Sequence, residues 1–227
     1  MTYNLRFRAG AGRCGAAWRC YGRHICFERT SQIIGPQSLR MSLILFNKPF
    51  QVMCQFSSHP TRETLADYLT IPDIYPAGRL DADSEGLLLL TNDGKLQHHI
   101  SHPTFKQPKT YLAQVEGSPD KGALEQLGNG LDLGDFTTQP CEVRQIIPPQ
   151  WLWPRIPPIR ERADKPTSWL ALTITEGKNR QVRRMTAAVN LPTLRLVRIS
   201  IGQVSLESHP LWPGEFREID PSEVTRR

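Results

Sequence analysis

The segment from Gly78 to Gly94, GRLDADSEGLLLLTNDG, places three acids directly before four consecutive leucines. A short apolar run such as Leu87 to Leu90, followed by an Asn-Asp-Gly turn, is typical of a strand buried on both faces of a sheet. Carboxylates beside such a strand are costly unless they are solvated, paired or used in chemistry. The chain must therefore fold around this strand and give its acids one of those roles.

The three acids Asp81, Asp83 and Glu85 imitate the start of an EF-hand loop. A calcium loop counted from Asp81 needs a ligand at its ninth position and a glutamate at its twelfth, which are Leu89 and Asn92 here. Alternating carboxylates on a strand also lie too close together for the inverting geometry of glycoside hydrolysis. We interpret Asp83 and Glu85 as a solvated acidic turn and keep Asp81 as a candidate for direct chemistry.

Charge is unevenly distributed along the chain. The formal net charge of +6 comes from residues 1–40, which carry seven arginines and one acid, whereas residues 41–227 are neutral. Within residues 155–198, ten lysines and arginines accompany three acids. This local surplus indicates a surface that faces a polyanion, or a solvated basic face; charge alone leaves both open.

The remaining composition indicates a globular protein of the cytosol. Five cysteines form no CxxC pair, which favours reduced thiols over a disulfide framework or a zinc site. No apolar run is long enough to span a bilayer, and the N-terminus lacks the apolar region of a signal peptide.

Hydrophobic periodicity and turn residues predict an irregular order of strands and helices, which favours an α+β fold. Predicted strands cover the two apolar runs of 42–56 and the segments 85–91, 109–117, 169–177 and 193–206. Predicted helices cover 60–69 with Thr61 as N-cap, 95–103, 118–130 with Ser118 as N-cap, and 179–190. Residues 147–168 contain six prolines and are expected to form a long irregular loop.

Residues 1–40 show no periodicity, and we expect them to be a poorly ordered basic extension. The extension is a basic RNA-binding tail, a targeting peptide, or a stretch upstream of a true start at Met41; the residues leave these open. We expect one catalytic domain over 41–222 and a tail over 223–227.

The segment YPAGRLDADSEGLLLLTNDG resembles the central motif of pseudouridine synthases of the ribosomal small-subunit-A type. The resemblance covers residues 42–220 and continues through Lys109-Thr-Tyr111, EGKNRQVRRM (176–185), RLVRISIG (195–202) and LWPGEFREI. It implies an α+β pseudouridine synthase fold, in which a long, mostly antiparallel sheet forms two lobes around a central active cleft. Within the family, the chain is most similar to members that isomerise a uridine of large-subunit ribosomal RNA. It implies a monomeric bacterial cytoplasmic enzyme that uses no cofactor and no metal.

The resemblance also assigns roles to particular residues. Asp81 is the catalytic carboxylate, and Arg183 pairs with it to keep it ionised. Tyr111 stacks on the target base, and Leu172 or Ile174 forms an apolar wall opposite. The expected phosphate contacts are Arg79, Lys109, Lys178, Arg180 and Arg184.

Residues 1–40 are too short and irregular for the S4-type RNA-binding domain that commonly precedes the catalytic domain in relatives. We therefore expect the catalytic domain to bind RNA unaided. The proline-rich loop is a candidate for local RNA specificity, or an ordered connector; its aromatic and basic residues are Trp151, Trp153, Arg155, Arg160 and Arg162.

Two other functions are weighed against the enzyme that acts on large-subunit RNA. One is a non-catalytic RNA-binding or ribosome-assembly protein that keeps the fold. The other is a synthase that acts on transfer RNA or small-subunit RNA. The joint presence of Asp81, Tyr111 and Arg183 favours an enzyme, because a pure binder needs no carboxylate near phosphates.

Overall fold

The computed structural model describes residues 43–225 except 106, 160, 161, 163 and 164, together with the short antiparallel strands β1 (Arg19–Cys20) and β2 (Cys26–Phe27). The chain divides into two units, Met1–Gln37 and Ser38–Arg227. Apart from β1 and β2, the extension for which the sequence predicts poor order lies outside the described residues.

A nine-stranded sheet organises the second unit. Its strands are β3 (Leu43–Lys48), β4 (Tyr75–Pro76), β5 (Glu85–Thr91), β6 (Lys109–Glu116), β7 (Glu142–Ile146), β8 (Thr167–Ile174), β9 (Thr193–Ile201), β10 (Val204–Ser205) and β11 (Phe216–Ile219). The strand order is β11-β3-β5-β9-β6-β8-β7, with β4 beside β5 and β10 beside β9. All of these pairs are antiparallel except β5 with β9. The predicted α+β fold with a mostly antiparallel sheet is confirmed.

The parallel contact between β5 and β9 forms a narrow seam between the two halves of the sheet. Its register places Glu85 opposite Val197 and Gly86 opposite Arg198. Gly86 has a φ of +102°, and a Cβ at this position would lie 2.2 Å from the carbonyl oxygen of Arg198. Only glycine allows the two strands to approach this closely.

The leucine run forms the centre of the core, as predicted. Leu87, Leu88, Leu89 and Leu90 are all fully buried. Leu87 and Leu89 join one hydrophobic cluster, and Leu88 and Leu90 join another. Because successive side chains of a strand point to opposite faces, both faces of β5 are covered. Each buried leucine contributes about 1.5–3 kcal/mol.

Four α-helices accompany the sheet in the described part of the chain: α1 (Gly94–Ser101), α2 (Lys121–Asn129), α3 (Gln181–Ala188) and α4 (Ser222–Thr225). The predicted Ser118 cap of α2 is wrong, because Asp120 accepts a hydrogen bond from Ala123 N at 2.7 Å and the helix begins later. The last helix, α4, crosses the expected domain boundary at residue 222 and buries Val224.

The predicted helix over 60–69 is reduced to one 3-10 turn, Leu65–Asp67. Pairing with the preceding segment keeps residues 63–65 extended: Met53 N donates to Glu63 O at 2.8 Å, and Leu65 N donates to Gln55 O at 2.9 Å. The same pairing replaces the predicted second strand of residues 51–56 with a single bridge between Met53 and Thr64. The backbone groups of both segments satisfy each other here instead of forming a helix or a hairpin.

Candidate active site

Hydrogen bonds from residues 48–51 and from Ser84 hold the segment that carries Asp81. Gln51 N donates to Ala82 O at 2.7 Å, and Ser84 N donates to Asp81 O at 3.1 Å. The fully buried Lys48 ammonium also approaches Ala82 O, at 3.4 Å. Burial lowers the pKa of Lys48 to about 8. These contacts fix the position of Asp81 at the entrance to β5.

A cleft of about 310 Å³ opens beside Asp81, between residues 78–84, the start of β6, β9 and the connection from β8 to α3. This volume is at the small end for a ligand pocket. The predicted site residues that line it are Arg79, Asp81, Lys109, Tyr111, Ile174, Lys178 and Arg180. Seven of the ten predicted site residues, drawn from three separate segments of the sequence, therefore meet in one place.

Tyr111 and Ile174 form an apolar part of the cleft wall. Tyr111 is 8 % exposed, and Ile174 lies at the end of the neighbouring strand β8. Leu172, the register partner of Tyr111 in β8, is fully buried and does not line the cleft. Of the two residues expected to form the apolar wall, Ile174 is the one in position.

Arg180 contributes the guanidinium nearest to Asp81. Its Nη1 lies 3.5 Å from Asp81 Oδ2, while Nη1 and Nη2 donate to the Asp83 carboxylate at 3.1 and 2.8 Å. The backbone of Arg180 is left-handed, with φ 49° and ψ 30°, which costs about 1–2 kcal/mol in a residue other than glycine. The ion pairs to both carboxylates accompany this strained conformation.

Arg183 lies beside Asp83 rather than Asp81, which corrects the expected pair. Its Nη2 donates to the carbonyl oxygen of Asp83 at 2.8 Å, its Nη1 donates to Thr193 O at 3.2 Å, and its Nε lies 3.5 Å from Asp83 Oδ2. Two backbone acceptors hold the guanidinium beside Asp83, and neither a hydrogen bond nor an ion pair joins it to Asp81.

Asp83 therefore joins two arginines and is not the freely solvated acid expected from the sequence. Burial alone would raise its pKa, but the hydrogen bonds from Arg180 and the charge of Arg183 hold the pKa of Asp83 below its usual value. The side chain keeps 31 % of its exposure, so both ion pairs are partly screened by solvent.

The other predicted cations differ in their exposure and in the contacts that they make. Arg79 and Lys178 are exposed at the rim of the cleft, where a phosphate could reach them. Arg184 lies outside the cleft: it pairs with the Asp135 carboxylate, donates to Leu133 O at 2.9 Å and packs over the Phe136 ring. A phosphate contact by Arg184 would require it to give up these partners.

Glu85 is also paired, and the expectation of a solvated acid is wrong for it. It is 2 % exposed and accepts two hydrogen bonds from Arg195, at 2.9 and 3.0 Å. Trp153 Nε1 donates a third, at 2.8 Å. A buried carboxylate needs such a complete set of donors. Glu85 and Arg195 are 110 residues apart in the sequence, so the sequence alone did not predict that they pair.

The Trp153 bond anchors the proline-rich loop to the start of β5. Elsewhere in this loop, Arg155 lies over the Phe50 ring, 4.4 Å from its centroid, and Trp151 is 37 % exposed. Arg162 pairs with Glu116, and Arg160 lies outside the described residues. The loop thus combines a buried anchor at Trp153 with an exposed aromatic side chain at Trp151.

The sequence reasoning missed Ser84 and Arg198, which also line the cleft. Both are almost fully buried, and Ser84 Oγ and Arg198 Nη2 have no hydrogen-bond partner among the described residues. The signal available for Arg198 was a charged residue inside the otherwise apolar strand pattern LRLVRISI. Ser84 carried no comparable signal.

The assembled cleft can hold a flat polar ring against Tyr111 and bring a carboxylate to one of its edges. The rim cations Arg79 and Lys178 would attract a polyanion. No helix in the described part of the chain is long and apolar enough to cross a membrane.

Comparison with known proteins agrees with this chemistry. Residues 42–188 match the family model of RNA pseudouridylate synthases. The ribosomal large subunit pseudouridine synthase E of Xanthomonas campestris pv. campestris is 54 % identical over 184 residues, which cover 80 % of this chain and 97 % of that protein. A protein of the same name from Vibrio vulnificus is 54 % identical over 177 residues, which cover 78 % of this chain and 74 % of the relative.

A solved structure described as a pseudouridylate synthase has the same fold. It superposes with a TM-score of 0.66 at 29 % identity and covers 82 % of this chain and 74 % of its own. The family match spans the Asp81 segment, β6, the connection from β8 to α3 and the whole of α3, which together supply most of the cleft. The chain therefore belongs to the RNA pseudouridylate synthase family.

Proposed function

We propose that this protein isomerises a uridine of large-subunit ribosomal RNA to pseudouridine, with Asp81 as the catalytic carboxylate. The observation that carries the proposal is the meeting of Asp81, Tyr111 and Arg180 in one cleft of a chain that belongs to this family. Relatives that share more than half of their aligned residues with this chain are named as large-subunit pseudouridine synthases, which supports the choice of RNA.

The reaction exchanges one bond between sugar and base for another. The bond from uracil N1 to C1′ of the ribose breaks, and a bond from uracil C5 to C1′ forms. The proton on C5 is released, and N1 gains a proton, so that no water is consumed. A carboxylate such as Asp81 can act as the nucleophile while the base is detached, and it leaves when C5 bonds to the sugar.

The other cleft residues have roles in holding the nucleotide. A uridine in folded RNA must be extruded before its glycosidic bond can be reached, and the Tyr111 ring offers a stacking face for the extruded base. Ile174, on the neighbouring strand, extends this apolar wall beside Tyr111, while Arg79 and Lys178 contact phosphates at the rim. Arg180 and Arg183 act as positioning residues through Asp83, and the Arg180 charge also faces Asp81 directly.

The central test replaces Asp81 by asparagine, which keeps the shape and removes the nucleophile. We expect Asp81→Asn to lose tritium release from 5-tritiated uridine in ribosomal RNA while RNA affinity and melting temperature stay near those of the wild type. Asp73→Asn is the matched control, because Asp73 is exposed and has a φ of 56° that asparagine also tolerates. Near-normal turnover by Asp81→Asn would show that another group does the chemistry.

Three further parts of the proposal have separate tests. Sequencing of pseudouridines in total ribosomal RNA from cells that lack the protein should show one missing site in the large subunit, and a loss in small-subunit or transfer RNA would refute that target.

Excess chelator should leave turnover on pre-folded RNA unchanged, because no metal takes part. We also infer a monomer that acts in the bacterial cytoplasm, which light scattering and cell fractionation can check.

A further inference from the structure

Two buried donors in the cleft lack an acceptor among the described residues. Arg198 is 2 % exposed, and its Nε donates to Leu87 O at 2.8 Å, but its Nη2 is enclosed without a hydrogen-bond partner. Ser84 is 1 % exposed, and its Oγ is enclosed in the same way. Both residues line the cleft. Unpaired buried donors are rare, because a donor that loses its hydrogen bonds to water and gains none in the protein costs free energy. The cost is largest for a charged donor.

The fold places Arg198 on the Tyr111 side of the sheet by a specific irregularity. Between β6 and β9, Thr110 pairs with Ser200, whereas Tyr111 pairs with Arg198, so Ile199 is an extra residue in β9. Cross-strand partners share one face, and a shift by one residue would exchange the faces. This bulge therefore brings the Arg198 side chain to the face that carries Tyr111.

A second contact fixes the backbone of Arg198 from the other side. Gly86 faces it across the seam, and the approach is close enough to exclude a Cβ at position 86. The guanidinium is thus supported by rigid strands on both sides, as a pre-organised recognition group requires.

A second cation also lines the cleft, and neither cation pairs with a carboxylate of the described residues. Lys109 Nζ donates to Gln107 O at 3.0 Å, and burial together with the Arg198 charge lowers the pKa of Lys109 to about 8. Among the described residues, no carboxylate lies within ion-pair distance of Lys109 or Arg198. The cleft therefore holds, besides the Asp81 carboxylate, positive charge on Lys109 and Arg198 that no described carboxylate pairs with.

This arrangement matches the charge that the reaction creates. When the bond between N1 and C1′ breaks, its electron pair stays on the base, and the uracil anion spreads that charge over its two carbonyl oxygens. A guanidinium and a hydroxyl that are already in place stabilise such a charge without reorganisation. The rim cations are better placed for phosphates, because a phosphate group would have to be stripped of water to reach a side chain that is 2 % exposed.

We propose that Arg198 and Ser84 form a donor site for a carbonyl oxygen of the extruded uracil, and that this site stabilises the base while it is detached from the sugar. The proposal rests on the proposed function. It assigns Arg198 and Ser84 to the base and Asp81 to the sugar.

The first test combines turnover with stability. Arg198→Met should lower the single-turnover rate by about 100-fold or more, the size of loss typical for an oxyanion donor. Ser84→Ala should lower it by about tenfold, as the loss of one neutral hydrogen bond predicts. Ser84→Ala should leave the melting temperature unchanged, since it removes an unpaired buried group. Arg198→Met also removes the hydrogen bond from Nε to Leu87 O, so its rate is compared per folded protein. Arg217→Met is the matched control, because Arg217 is an exposed residue of the edge strand β11, and it should leave turnover unchanged.

A merely structural Arg198 predicts a different result: the single-turnover rate of Arg198→Met falls only in proportion to the folded fraction, which the melting curve gives. That result would overturn the proposal, as would a turnover within about twofold of the wild type.

The second test needs no turnover and therefore separates this proposal from the proposed function. Uridine, which has the base but no phosphate, should raise the melting temperature of the wild type and of Asp81→Asn, and it should raise that of Arg198→Met much less. An equal shift in all three proteins, or no shift in any, would overturn the uracil site even if the enzyme is active. A wild type that shows the expected uridine shifts but releases no tritium from ribosomal RNA would refute the proposed function alone.

Discussion

The buried pair between Glu85 and Arg195 offers a quantitative test of how the fold supports the site. Glu85→Gln keeps the shape and still offers an oxygen to Trp153, but it leaves the Arg195 charge buried without its counterion. Removing one partner of a buried pair typically costs about 3–5 kcal/mol. Both side chains are at most 6 % exposed and both contacts are within 3.0 Å, which places this pair in that class.

The magnitude can be read from urea unfolding or from the melting temperature. For a domain of this size, 1 kcal/mol corresponds to about 2–4 °C, so Glu85→Gln should melt roughly 6–20 °C below the wild type. Arg195→Met should be similarly destabilised. The double variant should lose much less than the sum of the two, because no uncompensated charge remains.

Glu125→Gln is the matched control for this experiment. Glu125 pairs with Lys121 on α2 at 3.6 Å, but the two side chains are 61 % and 91 % exposed. Such a pair contributes no more than about 0.5 kcal/mol. A loss below about 1 kcal/mol in Glu85→Gln, or strictly additive losses in the double variant, would refute the reasoning that the pair is desolvated and mutually dependent.

Four further predictions concern the cleft and the domain boundary. Burial lowers the pKa of Lys109 to about 8. Because RNA binds the charged form of Lys109, the affinity for RNA should be full below pH 8 and should fall by up to about tenfold per pH unit above it. Lys109→Arg should show a flat profile in fluorescence anisotropy, and an equal pH dependence in both would contradict the assignment. Gly86→Ala should lose roughly 2–5 kcal/mol in urea unfolding, since its Cβ would meet the backbone of β9, and a neutral effect would contradict the tight seam. Arg183→Met should lose turnover and stability together. The Arg180 side chain is 44 % exposed, so Arg180→Met should lose turnover but less than about 1 kcal/mol of stability. If Arg183→Met only weakens RNA binding and lowers its salt slope by about one, Arg183 is a phosphate contact instead. Residues 41–227 alone should melt and turn over like the full chain, and a large drop in melting temperature would show that the extension packs on the domain.

The amino-acid sequence determined the local elements wherever the signal was strong and short in range. Four leucines before an Asn-Asp-Gly turn defined β5, and the alternating residues of 109–117 defined β6. The prediction failed over 60–69, where a helical pattern was overridden by pairing with residues 53–55. Propensity decides a segment only when no neighbouring backbone competes for its hydrogen bonds.

The motifs also identified seven of the residues that line the cleft, because each motif lies close to one of its walls in the sequence. The partner of each charge was decided only by the tertiary structure. Asp83 meets Arg180, and Glu85 meets Arg195, across intervals of 97 and 110 residues. Such partners depend on how strands align across the sheet, and no sequence spacing encodes them.

The clearest case is Arg198. In the sequence it is one charged residue in an apolar strand, with nothing to say which face of the sheet it occupies. A single extra residue in β9 and the close approach of Gly86 decide that it shares the face of Tyr111. Since the side-chain direction in a strand alternates with every residue, a one-residue irregularity changes the function of the position, and that irregularity exists only once the strands have paired.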